Sequence, residues 1–572
     1  MQKIVSLLVA MLCLMTANAC MKKNVPVREN PLTVIVMDTT QALLNGAQVK
    51  IGKQTYTTSF DGRIVLKPEQ IKGVSSLTIS CKGFEAKKVT LSDASLEIVT
   101  LAAKPGKEGR GGKEVYYTLG ATRGGVRYEK AVAMMATADY AVVEAEEAAA
   151  EMHTLPYYGD ASNGVSAGKL TAGEVNDFAK WYFWPKMLDS THGQFIKTWG
   201  VEPRQRYTVQ VKTKDGYPVA NYPVQLKDEK GNTLFQALTD NTGKAELWGN
   251  LLKDAQPSAV RVPEQTIILD EPCEVSEAVD VLFVFDATGS MGDELHYLQA
   301  EMKDVISRAK AATGGLAIRT GAVVYRDHND EYLTRISRLT DNIATTQEFI
   351  DHQNANGGGD YPEAVPEALM AALNSAGWND NARARIAFLI LDAPCHEDSA
   401  TLALLHEQIL NAAAMGVRIV PVVCSGIDES AEFLLRAIAL ATNGTSFFLT
   451  DDSGIGNPHL KPTTDSLKVE HLNDMLVRTI VEFSKMPECQ PLEETEELTH
   501  NEYFLPNPFT TADLEADPSI PNGEGVHYLI DVSGKLLGIF CGTVPTDHLP
   551  IGVYFIKTYY DGIWHTKKIL VR

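Results

Sequence analysis

The sequence predicts a multidomain protein in which a doubly wound α/β domain with a parallel sheet is flanked by all-β sandwich modules. Three observations carry this. Between 278 and 485, apolar runs rich in β-branched and aromatic residues fall at 279–286, 318–325, 386–391, 417–423 and 445–449. Helical patterns fill about 292–313, 345–353, 362–376, 400–415, 429–441 and 468–484 between and after them. Such alternation is that of a parallel sheet covered by helices on both faces. Elsewhere, apolar and polar residues alternate over short stretches broken by Gly, Asn and Asp, the pattern of half-buried strands and tight turns. Finally, 572 residues are too many for one hydrophobic core.

Taken in order, residues 1–19 carry one charge, Lys3, followed by an apolar run over 4–15. This predicts an export signal, too short for a stable membrane span. The signal ends in Thr16-Ala17-Asn18-Ala19-Cys20, which admits two readings. Ala17-Asn18-Ala19 is an Ala-x-Ala site for ordinary cleavage. Small residues before a Cys also resemble a bacterial lipobox, which makes Cys20 a lipidation site and a membrane anchor. Residues 20–30 read as a tether. From 31 to 102, short strands alternate with turns, as at Asn45-Gly46 and Asp61-Gly62; this stretch resembles the carboxypeptidase-regulatory-like β-sandwich.

Residues 103–202 combine a Gly-rich linker at 104–113, a helical Ala/Glu/Met segment at 131–152 and a segment with Trp181, Trp184 and Trp199, whose rings are expected to pack against a neighbour. The order strand, Asp-Gly turn, strand, Thr-x-x-x-Gly turn, strand recurs at 203–270, read as a second, immunoglobulin-like sandwich. The α/β domain follows at 278–485, then an acidic linker at 486–500. Residues 501–572 open on Pro506-Asn507-Pro508-Phe509, pass through Asp531-Val532-Ser533-Gly534-Lys535 and end on a basic strand. They resemble the C-terminal sorting domain of type IX secretion substrates in Bacteroidetes, which predicts export to the cell surface or outer membrane.

The residues that carry chemistry lie in the α/β domain. The run Val279-Asp280-Val281-Leu282-Phe283-Val284-Phe285 ends on Asp286, with hydroxyls at Thr288 and Ser290. A second run, 386–391, ends on Asp392. Between them Gly357-Gly358-Gly359-Asp360 forms a Gly-rich loop, with Asp360 expected near a helix start. Buried parallel strands put such residues at the carboxyl edge of the sheet, where open α/β sheets bind ligands. Oxygen ligands with few fixed charges suit a hard divalent cation, Mg2+ foremost, with Mn2+ and Ca2+ as alternatives.

These motifs resemble the von Willebrand factor type A domain and its metal-ion-dependent adhesion site. The resemblance covers 278–485 and implies a metal set of Asp286, Thr288, Ser290, Asp360 and Asp392. Asp360 stands where the family usually has Thr, a departure that adds negative charge. By resemblance, the domain binds a macromolecule, above all a protein, whose acidic group completes the metal's coordination, and it performs no catalysis. A structural or assembly subunit of the envelope or fimbriae, with a metal that only stabilises the fold, is the other reading. The resemblance also makes Cys273 and Cys489, just outside the two ends of the domain, a disulfide candidate; Cys395 and Cys424 are read as small buried groups.

Other chemistries find less support. A haloacid-dehalogenase-like phosphatase needs an acid where Thr288 stands. No nucleophile–base pair or phosphate loop is legible. Asp and Glu total 73 against 52 Lys and Arg, a net charge of −21, which argues against a nucleic-acid partner.

Overall fold

The computed structural model describes residues 30–92, 94–105, 167–190, 192–252, 260–261, 266–489, 526–531, 536–541, 549, 552–560 and 563–571. The expected signal and Cys20, almost all of the tether, the helical segment at 131–152, most of the acidic linker and the Pro-Asn-Pro-Phe motif lie outside them. The chain divides into two compact units, 1–489 and 490–572.

At the centre of the first unit is an eight-stranded sheet: β1 (Thr171–Val175), β2 (Ala278–Asp286), β3 (Ala317–Tyr325), β4 (Thr334–Thr340), β5 (Ala384–Leu391), β6 (Val417–Val423), β7 (Ser446–Leu449) and β8 (Val469–His471). The order across it is β4-β3-β2-β5-β6-β7-β1-β8. Strands β3, β2, β5, β6 and β7 run parallel, as expected. The edges differ from the expectation: β4 is antiparallel to β3, and β1 is antiparallel to both β7 and β8.

The central strands are apolar throughout because both faces are covered. Leu282 and Val284 of β2 enter one core with α3 (Val365–Ser375), α4 (Ser399–Met415) and α5 (Glu429–Ala441). Val281, Phe283 and Phe285 point the other way, towards α1 (Leu295–Ala312), α2 (Ile343–Asp351) and α6 (Leu472–Ser484). Alternate side chains of one strand thus feed two cores. Helix α4 starts on Asp398, whose carboxylate accepts from the N–H groups of Ala400 and Thr401, and stops on Gly416 at φ +65°. Both are the ordinary means of satisfying helix-end backbone groups.

Strand β1 belongs to a segment that the sequence placed outside the domain. It is held there by polar contacts as much as by packing. Glu301 of α1 is fully buried, and its carboxylate accepts from the N–H groups of Gly168, Lys169 and Leu170 at 2.8–3.1 Å. Two residues past β1, Asp177 accepts from Arg436 of α5 at 2.5 and 2.9 Å, and Arg436 also donates to Glu432 at 2.7 Å. Arg436 is itself fully buried. Removing Asp177 strips Arg436 of two charge-assisted hydrogen bonds while Glu432 still balances its charge, so Asp177→Ala is expected to cost about 1.5–3 kcal/mol. Equilibrium urea unfolding measures this; a loss below 1 kcal/mol contradicts the account. The tryptophans pack where the sequence reading put them, against neighbours: Trp184 stacks on Phe433 at 5.9 Å, and Trp199 Nε1 donates to the Ser430 carbonyl at 3.0 Å.

Two β modules flank this sheet. Residues 32–101 form a three-stranded and a four-stranded sheet around one shared core. The module also caps an edge of the central sheet: Leu43 N–H donates to the Thr334 carbonyl at 2.9 Å, and Ile336 N–H to that of Gln41 at 3.1 Å. Exposed strand edges invite aggregation, and this contact covers part of one. Residues 205–269 form two three-stranded sheets. Their Leu226, Phe235 and Trp248 share the core that contains α4 and α5, and Asp240 pairs with the buried Arg418 at 2.6 Å.

A disulfide joins Cys273 to Cys489, with Cα atoms 5.6 Å apart across 216 residues of chain. It ties the approach to β2 to the exit from α6. A bridge closing so long a loop contributes roughly 2–4 kcal/mol. Cys395 and Cys424 are buried free thiols. Among the described residues no helix is long and apolar enough to cross a membrane.

The second unit, by itself, is a four-stranded antiparallel sheet in the order Leu536–Cys541, Val526–Asp531, Gly552–Tyr560, Ile563–Val571. Among the described residues it is a single sheet, where a sandwich was expected.

Candidate metal centre at the carboxyl edge of the sheet

The chain leaves β2 to build β3 and β4 on one side, then returns to build β5 on the other. The carboxyl ends of β2 and β5 therefore lie side by side where connections part in opposite directions, which opens a crevice. Asp286 is the last residue of β2, paired in register with Tyr325 of β3. Phe285 pairs with Ile390, so Asp392, just past β5, comes beside Asp286.

Asp286 is fully buried. Its Oδ1 accepts from the Thr288 N–H at 2.8 Å and the Thr288 hydroxyl at 2.7 Å. Oδ2 meets no donor in hydrogen-bond geometry, but the Tyr325 hydroxyl on the neighbouring strand is close enough to the carboxylate to favour its charged form. The Thr288 hydroxyl lies 3.2 Å from that of Ser290, which is exposed at the rim. The turn becomes a short 3-10 helix, Gly289–Asp293, before α1 begins at Leu295, later than the helical pattern suggested. Burial, then the negative charge of Asp392, pushes the Asp286 carboxyl up to about 7. Asp286, Thr288, Ser290 and Asp392 are thus delivered to one place by two adjacent strands.

Asp360 is placed differently from the expectation. It is exposed, in a bend, and α3 begins only at Val365. The intervening chain is extended because Glu363 N–H donates to the Pro394 carbonyl at 2.9 Å and Glu363 bridges to Cys395. The buried acid of this segment is Glu363, which is 2% exposed. Its Oε2 has no hydrogen-bond partner. Burial and the charges of Asp286, Asp327, Asp392 and Asp330 push its carboxyl up to about 9.

The Gly-rich loop is locked against the turn that follows β2. Gly289 N–H donates to the Gly357 carbonyl at 3.1 Å, Asn356 N–H to that of Ala287 at 3.0 Å, and Gly358 N–H to Asp330 Oδ2 at 2.8 Å. Gly357 has φ +81°, and a Cβ there would lie 2.3 Å from Asp330 Oδ1. Only glycine fits both the angle and the space. Further out, His396 Nε2 meets Asp327 Oδ1 at 2.9 Å and His328 Nε2 meets Glu367 Oε1 at 3.1 Å. Sequence reasoning passed over Glu363, Asp327 and Asp330; the signal available was their position in the loops that follow β3 and precede α3.

Among the described residues no three His, Cys, Asp or Glu side chains form a ready-made metal group. A set of two carboxylates and two hydroxyls is a different kind of site. It fits a hard divalent ion with retained waters, and the donorless Oδ2 of buried Asp286 is the group such an ion would satisfy.

Residues 280–420, which hold the central parallel strands, match the von Willebrand factor A domain family. Two curated proteins share part of the chain. An alpha-protein kinase, vwkA, of Dictyostelium discoideum is 28% identical over 172 residues, 30% of this chain and 25% of that protein. An ariadne-like RING finger protein of Acanthamoeba polyphaga mimivirus is 31% identical over 121 residues, 21% of this chain and 12% of that protein. The chain thus spans a quarter or less of the length of these relatives. Among solved structures, an aerotolerance-related membrane protein from Bacteroides fragilis NCTC 9343, crystallised with multiple mutations to serines, is matched over 36% of this chain and 98% of its own. Identity there is 14% and the TM-score 0.24.

Proposed function

We propose that this is an exported, non-catalytic binding protein whose von Willebrand factor A domain engages a macromolecular partner, a protein above all, through a divalent cation held by Asp286, Thr288, Ser290 and Asp392. A domain of this family suggests protein interaction in general. The observation that carries the finer reading is the buried Asp286 carboxylate, with one oxygen held by Thr288 and the other without a donor, beside Asp392 at the crevice. The Cys273–Cys489 bridge favours export, since such bonds persist in oxidising compartments. Once bound, the ion supplies a Lewis-acidic position for an oxygen of the partner. Thr288 orients Asp286 towards it, and exposed Ser290 marks the side from which a partner reaches it.

The test compares proteins from the native cell's surface fraction retained by the immobilised full chain with cation and with chelator, beside an Asp286→Asn control. The reading predicts a set held only by wild type with cation. Identical sets in all conditions overturn it.

A further inference from the structure

The N-terminal module's three-stranded sheet is apolar on both faces. Strands Arg63–Leu66, Leu32–Asp38 and Leu96–Leu101 lie side by side in that order. Leu32, Val34, Leu66, Val99 and Leu101 enter the module's own core. The alternate residues share the other face: Val65 and Leu96 both pair with Thr33, and Arg63 and Ile98 both pair with Ile35. The solvated face of an antiparallel or mixed sheet is ordinarily polar. Here Val65 and Ile98 are 44% and 45% exposed, and Leu96 is half-buried.

This face forms one side of an open groove of about 680 Å3. The central domain forms the other, through Arg338 of β4, Asn374 of α3 and Trp378 just beyond α3. Small-molecule sites occupy about 300–1,000 Å3. Two guanidinium groups line the groove. Arg63 Nε is buried without a hydrogen-bond partner. Asp61, the buried acid two residues before it, is committed to the Ser59 hydroxyl and the Arg63 N–H. Arg338 packs on the bare backbone of Gly377, where a Cβ would come 2.4 Å from Nη2. Burial, then the like charge of Arg319, pushes the Arg338 pKa down. Ser375 joins the two arginines: its carbonyl accepts from Arg338 Nε at 2.8 Å, and its hydroxyl donates at 3.0 Å to the carbonyl of Asp61. Asp380, the acid of the lining, is exposed and acts on Arg385. An anion in the groove supplies the acceptor that Arg63 Nε lacks and balances the Arg338 charge.

We propose that this groove binds a small aliphatic carboxylate, with its head at the Arg63 and Arg338 guanidiniums and its chain along Val65, Leu96 and the Trp378 ring. The two ends of the ligand follow from the two kinds of lining: cationic where the modules meet, aliphatic along the sheet. The groove uses none of the residues of the crevice after β2 and needs no cation.

The experiment is a calorimetric titration of the full, disulfide-intact chain with sodium octanoate, octanol and acetate, for wild type, Arg63→Gln, Arg338→Gln and Val65→Glu. Wild type is expected to bind one octanoate with a Kd of about 1 mM or below. Octanol, without the charge, and acetate, without the chain, are expected to bind at least about tenfold more weakly. Each glutamine variant is expected to lose about tenfold in octanoate affinity, the worth of a charge-assisted hydrogen bond. Val65→Glu, which sets a carboxylate at an exposed position of the sheet, is expected to abolish binding. A bromine-terminated octanoate is expected to quench a part of the tryptophan fluorescence that Trp378→Phe lacks. No saturable octanoate binding, octanol bound as tightly as octanoate, or affinity undiminished in both glutamine variants overturns the proposal. If Arg338→Gln does not fold, Arg63→Gln and Val65→Glu decide it: undiminished binding by both overturns the proposal, and loss in both supports it.

Discussion

Asp286→Asn is expected to abolish the rise in melting temperature that divalent cations give the wild-type chain, while making the cation-free protein more stable than wild type at pH 8. The first half follows from mass action: an ion that binds only the folded state adds about 2.7 kcal/mol at a hundred times its dissociation constant. The amide keeps the shape and loses the charge that the ion needs. The second half follows from burial. Asp286 is pushed up to about 7 by desolvation and by Asp392. A group whose folded pKa is raised contributes stability that is full below its unfolded value, about 4, and lost as pH rises through its folded value. In chelator, this group therefore makes wild-type stability fall between about pH 4 and 8. Glu363, pushed up to about 9, extends the decline upward. The amide cannot ionise, so the variant escapes the Asp286 share, a gain of roughly 1–3 kcal/mol at pH 8. Melting curves in chelator and in saturating Mg2+ or Ca2+, at pH 5 and pH 8, read both effects. A variant that still responds to cation, or is less stable than wild type at pH 8 without it, contradicts the account.

A fragment spanning 270–489 is expected not to fold, whereas 30–489 folds. The short fragment contains the whole stretch that matches the family, yet lacks β1. Without β1, strands β7 and β8 lose their common partner. Glu301 is left buried without the three N–H groups it accepts from, and Arg436 without Asp177. Leu170, Ala172, Val175, Trp184 and Trp199 leave the two cores. The lost Arg436–Asp177 hydrogen bonds alone are worth about 1.5–3 kcal/mol, and domains are stable by only about 5–15 kcal/mol. Size-exclusion chromatography and near-ultraviolet circular dichroism decide it. A monomeric short fragment with a cooperative melt would show that the N-terminal segments are dispensable for this fold.

How far the sequence disclosed this depended on what surrounds each element. Strands β2, β5 and β6 are buried on both faces, so they are written as unbroken apolar runs that need no context to read. Strand β4 is interrupted by Arg335, Ser337 and Arg338, the two arginines half-buried, and gave no comparable run. Strand β1, Thr-Ala-Gly-Glu-Val, is barely apolar. Its conformation comes from β7, β8 and Glu301, partners far away in sequence. Gly173 sits in it because Leu467 packs on the backbone; a Cβ would lie 2.4 Å from Leu467 Cγ. The turn after β2 was legible for the opposite reason: Asp286, Thr288 and Ser290 sit within one local stretch of sequence, and Thr288 bonds Asp286 directly. That Asp360 is exposed and Glu363 buried was not legible locally, since it goes with the Glu363–Pro394 hydrogen bond that keeps this stretch extended.

The claim that two adjacent strand ends and one turn hold a cation is tested most directly by anomalous scattering from crystals of the full chain grown with Mn2+. The account predicts one strong peak among Asp286, Ser290 and Asp392, absent from Asp286→Asn crystals. No peak at that position, or a peak only beside His328 and His396, would contradict it.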